Sequence, residues 1–274
     1  MFKIIIMALL IFIGMVGYDN ITDKAQPTTP VQQEQQKVSK HEKSAAMALF
    51  VSLLPPKEEW PSPVHKFYLA FNMDEVIDPI RQNPNWTGLD AMSRDIPQAL
   101  IAIEDHAFYN HGAIAVEGIL RAALANINAG EVVQGGSTLT QQFVKNVFLS
   151  HEQSMERKIE EAVLSLMLED NYSKDEILEL YLNTTYFGAG STGIKQASRT
   201  YFGKAPSALT LAEAAVIASL PYAPTGLNPL ENPEGCKKRQ LLVLAAMHKY
   251  GMINQGQLAE AKAEKIRLTN GTVM

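Results

Sequence analysis

The feature that most constrains this chain is a helix-start signal that recurs four times. A Ser or Thr is followed three residues later by Glu or Gln at Thr138/Gln141, Ser150/Gln153, Ser173/Glu176 and Thr210/Glu213. In such a capping box the hydroxyl accepts an N–H of the first turn, while the acid or amide reaches back to the cap's own N–H. Each box opens an amphipathic run. Beyond Ser150, Met155, Ile159, Ala162, Val163, Leu166 and Met167 recur at helical spacing as far as Asn171. Beyond Thr210, the stretch LAEAAVIASL is apolar nearly all round and stops at Pro221, which suits a helix at the centre of a core. Asp95-Ile-Pro97 starts a further helix through Leu100, Ile101 and Ile103 to Glu104, with proline in the first turn, where its missing N–H is not needed. Strand-like segments are confined to 183–186 and the tail 265–273. The class is therefore mainly α, with no internal repeat.

With 274 residues, 46% of them hydrophobic, the chain can bury the core of one larger domain. A net charge of −5 argues against a general nucleic-acid binder. Cys236 is the only cysteine, so no intramolecular disulfide and no Cys-based zinc site can form. The N-terminus divides differently. Ile4 to Gly17 carries no charge and follows Lys3, the pattern of a membrane-directed segment with its N-terminus inside. Counted from Phe2 to Tyr18 at about 1.5 Å per residue, a helix spans only ~25 Å, short for an anchor, yet the segment lacks a clean small-residue cleavage site. Residues 1–18 are read as a membrane anchor or signal segment, 19–44 as a Gln-, Lys- and Pro-rich polar linker, and 45–274 as the folded domain. Within that domain Ala45 to Leu54 is apolar but stops at Pro55-Pro56. It is either a short packed helix or a segment dipping into a surface.

Three clusters could carry chemistry. Glu104-Asp105 lies where an apolar helix runs into EDHAFYNHG. The negative helix end and neighbours such as Ile101, Ile103 and Phe108 disfavour a charged carboxylate there, raising its pKa toward that of a general base. The alternative is a solvated acidic helix end. His106 and His111 beside it have no recognised metal-ligand spacing. In the second cluster, Gly135-Gly136 frees the backbone ahead of a helix start carrying Ser137, Thr138 and Thr140, followed by Gln141, Gln142, Lys145 and Asn146. This suits sugar or phosphate oxygens, or else a well-capped polar surface helix. In the third, Arg157, Lys158 and Glu161 share one helix face. That arrangement is either a diphosphate-binding pair beside an acid or a surface ion-pair ladder.

Together these segments resemble the peptidoglycan glycosyltransferases of glycosyltransferase family 51, found in class A penicillin-binding proteins and in monofunctional transglycosylases. The resemblance covers about Gly88 to Met247. It rests on Glu104-Asp105-His-Ala-Phe108-Tyr-Asn-His111-Gly112, on Gly135 to Asn146, on Arg157-Lys158-Ile-Glu-Glu161, on Lys174 to Asn183, and partially on Arg239 to Met247. Two positions depart from the pattern: Ala113 replaces a glycine, and Gln240 stands where a second basic residue is usual.

The resemblance implies a lysozyme-like helical fold with a smaller membrane-facing lobe, and lipid II and the growing glycan strand as partners. Glu104 would then be the catalytic base, and Glu161 a second catalytic carboxylate nearer the leaving diphosphate, orienting donor groups or a divalent cation. Asp105, Phe108, Ser137, Thr138, Gln141, Gln142, Lys145, Asn146, Arg157 and Lys158 would bind substrate. A divalent cation, Mg or Mn, is implied by the family alone, with no ligand set in the sequence. The expected place is the outer face of the cytoplasmic membrane, alongside other cell-wall synthesis proteins and with no nucleic acid. No Ser-x-x-Lys and no Lys-Thr-Gly occurs in these residues, so the chain is expected to polymerise glycan without cross-linking it. The rival readings are a lysozyme-like glycan-cleaving enzyme and a non-catalytic, membrane-anchored glycan-binding module.

Overall fold

Helix caps set the architecture. In this computed structural model the described residues are 68–69, 72–119, 127, 135–149 and 154–274, all within one compact unit, Lys66–Met274. The expected anchor or signal segment, the linker and the Ala45–Leu54 stretch lie outside them. The helices are α1 (Asp74–Arg81), α2 (Asp95–Glu104), α3 (Leu139–Phe148), α4 (Met155–Asn171), α5 (Lys174–Thr184), α6 (Ile194–Phe202), α7 (Leu211–Ser219), α8 (Pro233–Lys249) and α9 (Gln255–Ala263). The boxes at Thr138/Gln141, Ser173/Glu176 and Thr210/Glu213 form with both hydrogen bonds in place, opening α3, α5 and α7.

The start of α4 differs from the expectation. Ser150 and Gln153 lie outside the described residues, and the helix is capped by Ser154, whose hydroxyl accepts the Arg157 N–H at 3.1 Å. The strand expectation also contracts. Among the described residues pairing is limited to isolated antiparallel bridges, Tyr186 with Thr192 and Arg267 with Val273, because Asn183 and Thr184 are drawn into the last turn of α5.

Two helix groups build the core. In the first, α7 packs against both α2 and α8, and these two also touch each other. Eight of the nine residues of α7 are buried, four of them alanines, so its neighbours can approach closely. Its buried acid, Glu213, is neutralised by Lys204 at 2.6 Å and accepts the Thr210 N–H. The departure at Gln240 finds its place here. It is fully buried on α8 and donates Nε2 to the Ala212 carbonyl at 2.8 Å. In the second group, α3 packs against α4 and α5.

α4 is turned opposite to a simple amphipathic reading. Its apolar stripe, Met155, Ile159, Val163 and Leu166, is exposed, from 49% to 76%. Its buried side carries Glu161, Leu164, Ser165 and Leu168. Among the described residues no helix is long and apolar enough to cross a membrane.

Candidate active site

The site lies where the first helix group meets the second. Glu104 is the last residue of α2, a partly buried carboxyl at the negative end of the helix. Burial pushes its pKa above the ordinary glutamate range. A hydrogen bond from Gln142 and the charges of Arg239 and Lys145 pull the other way, and neighbouring Asp105 adds to the rise. The Gln142 Nε2 donates to Glu104 Oε2 at 3.0 Å. Gln142 sits in the first turns of α3, and the other end of its amide, Oε1, accepts the hydroxyl of Tyr181 on α5 at 3.0 Å. A carboxyl at the end of one helix is thus held by side chains from two others.

Asp105 joins the same groups through both of its oxygens. One bonds His111 Nε2 at 2.6 Å and the other accepts the Leu139 N–H at 3.1 Å, at the start of α3. His111 is further fixed by the Gly112 carbonyl at 2.6 Å. Asp105 therefore ties the loop after α2 to the N-terminus of α3, where a carboxylate is favoured by the exposed N–H groups. His106 stacks on Tyr250, with ring centroids 4.1 Å apart.

The cationic cluster lies on α4, which packs against α3. Glu161 is buried, at 1% exposure, and each of its oxygens meets one cation: Arg157 at 2.7 Å on Oε2, and Lys158 on Oε1. Lys158 also donates to Ser137 Oγ at 3.1 Å, so the Gly135-Gly136-Ser137 turn is linked to α4. Two cations thus converge on one buried carboxylate. This is not a surface ladder, because the shared acid is inside. Among the described residues no three His, Cys, Asp or Glu side chains gather as metal ligands, and both Glu161 oxygens already face cations. Among the described residues the donor set does not fit a protein-held divalent ion.

Not every residue expected to bind substrate is free to do so. Phe108 has no exposed surface and lies in the core beneath Lys174, whose Nζ sits 4.4 Å from the ring centre. Thr138 and Gln141, each 2% exposed, spend their side chains on the α3 capping box, and the Thr138 hydroxyl also donates to the Ala113 carbonyl at 2.8 Å. These three are structural residues of the site. Lys145 and Asn146 are exposed on α3, and Ser137, Gln142, Arg157 and Lys158 are partly so.

Two neighbours of Glu104 were passed over in the sequence. Tyr181 is an apolar-face position of α5, but a buried tyrosine hydroxyl needs a partner, and that need was the available signal. Arg239, within the partial fifth segment, places its guanidinium 4.1 Å from the centre of the exposed Tyr222 ring. Its buried Nε has no protein partner.

The transglycosylase family model matches residues 73–248. A Cupriavidus necator protein that bears the transglycosylase name is 41% identical over 194 residues, covering 71% of this chain and 84% of its own. Penicillin-binding protein 1A of Neisseria flavescens is 44% identical over 185 residues, and penicillin-binding protein 2D of Bacillus subtilis 45% over 181, covering 68% and 66% of this chain. The chain spans 23% and 26% of those two longer relatives. With the family match running from the start of α1 to the end of α8, across every residue of the site, this chain belongs to the transglycosylase family.

Proposed function

We propose that the chain is a peptidoglycan glycosyltransferase that polymerises lipid II into β-1,4-linked strands. The observation that carries this reading is Glu104, a carboxyl at a helix end bonded by Gln142 of α3, together with the two cations gathered on a buried acid of α4, the helix that packs against α3. In the reaction Glu104 takes the proton of the acceptor's sugar 4-hydroxyl. That oxygen bonds to the donor's anomeric carbon as the bond from that carbon to undecaprenyl diphosphate breaks. A single displacement turns the α-linked donor into a β link, and one base is enough. Arg157, Lys158 and the exposed Lys145 meet the charge growing on the leaving diphosphate. Glu161 is a positioning group: buried between Arg157 and Lys158, it holds both cations in place.

The outward apolar stripe of α4 supports a bilayer as the second surface. Four large apolar side chains in a row on an exposed helix face mark an interaction site, and a lipid-linked substrate makes a membrane its natural occupant. This reading puts the domain on the outer face of the cytoplasmic membrane. Incubation of the purified chain with lipid II tests the activity. Appearance of glycan polymer supports transfer, whereas shortened glycan or unchanged substrate overturns it.

A further inference from the structure

Gln142 has an amide with two unlike ends, and only one orientation helps the base. With Nε2 toward Glu104 it donates to the carboxylate; rotated by half a turn, it would press Oε1 against that negative charge. Something must favour the first orientation while the active site fills and empties. The Tyr181 hydroxyl lies 3.0 Å from Oε1, and the tyrosine side chain is buried, at 1% exposure. Burial, and after it the charge of Glu104, push the phenol's pKa well up against a smaller downward pull from a hydrogen bond with the Thr185 side chain, so the hydroxyl keeps its proton. A protonated hydroxyl bonded in this way presents its hydrogen to the amide oxygen.

We propose that Tyr181 is a positioning residue for the reaction: through the Gln142 amide it holds an N–H on Glu104 and so sets how readily that carboxyl ionises. The inference rests on Glu104 being the base. No proton passes along the chain, because the amide neither gains nor loses one. Its effect is electrostatic, since an N–H aimed at the carboxylate favours the charged form that can accept the acceptor's proton. The other charges acting on Glu104 are Arg239 from α8, Lys145 from α3 and the adjacent Asp105, and none of them contacts the Tyr181 hydroxyl in the hydrogen-bond network. Removing that hydroxyl would leave Oε1 without this donor, a cost the amide escapes by turning.

The test uses Tyr181→Phe in the full chain with lipid II. At neutral pH kcat is expected to fall about tenfold with KM changed less than about twofold. The acid limb of the kcat profile should move to higher pH, so that part of the loss is recovered in alkaline buffer. Gln142→Met, which keeps the tyrosine, should move the limb the same way. The double variant should be no worse than the more impaired single one, because both act through one contact. A uniform loss at every pH, an unmoved limb in Gln142→Met, or additive losses would overturn the proposal. Glu104→Gln separates the two levels. If that variant polymerises normally, the assignment of the base is wrong and the relay falls with it. If it is inactive while the limb in Tyr181→Phe stays put, only the relay is wrong.

Discussion

Glu104 is pulled two ways: burial and the helix end favour its neutral form, while Gln142, Arg239 and Lys145 favour the carboxylate. The balance leaves its pKa above the ordinary glutamate value of 4.5, with a consequence for stability as well as rate. A folded-state pKa raised in this way means that the folded chain holds more protons than the unfolded one between the two values. Its contribution to stability is therefore full below the unfolded pKa and is lost as pH rises through the folded one. Glu104→Gln, which mimics the neutral form, is expected to abolish polymerisation, a loss of at least about a hundredfold. At neutral pH the same variant should unfold no more easily than the parent, and any advantage should vanish in acid. Thermal unfolding at both pH values checks this, and a destabilised variant at neutral pH would contradict it. An acid ending an apolar helix was legible in the sequence because it is a local pattern, while its reading as the base came from the family resemblance. Phe108 was misread as substrate-binding for the opposite reason: a phenylalanine in a loop is exposed or buried according to what packs on it, here Lys174.

Among the elements, α3 carries the most. It begins on a capping box, receives Asp105 at its first N–H and presents Gln142 one turn in. Thr138→Ala removes the cap and the bond to the Ala113 carbonyl and is expected to cost about 1–2 kcal/mol in a denaturant titration, most of it restored by Thr138→Ser. Helix starts of this kind were readable because both partners lie within four residues of each other. The direction in which a helix faces is another matter. The apolar stripe of α4 was visible as a period, but no period says which side meets the protein. Ile159 and Val163, 62% and 49% exposed, can be changed together to serine with an expected stability change within about 0.5 kcal/mol. The same pair should weaken binding to lipid vesicles in a co-sedimentation assay, and undiminished binding would remove the stripe's proposed role.

At the scale of the whole molecule, Glu104 stands on the α2–α7–α8 packing and the Arg157–Lys158–Glu161 cluster on α3–α4–α5. The first group depends on small side chains. Ala215 is completely buried on α7, and Ala215→Leu is expected to cost about 1–3 kcal/mol by overpacking, read as a lowered unfolding midpoint. Because the two groups meet through the bonds of Glu104 and Asp105 to α3, displacement of α2 should also lower polymerisation at temperatures where the fold survives.

On α4 the exposed stripe and the buried Glu161 lie on opposite sides of one helix, so about 10 Å of helix width separates them. Were the proposed bilayer to lie against the stripe, the helix would act as a depth gauge, keeping the cations about one helix width from the apolar layer, where the diphosphate of a lipid-linked donor could meet them without the donor leaving the membrane.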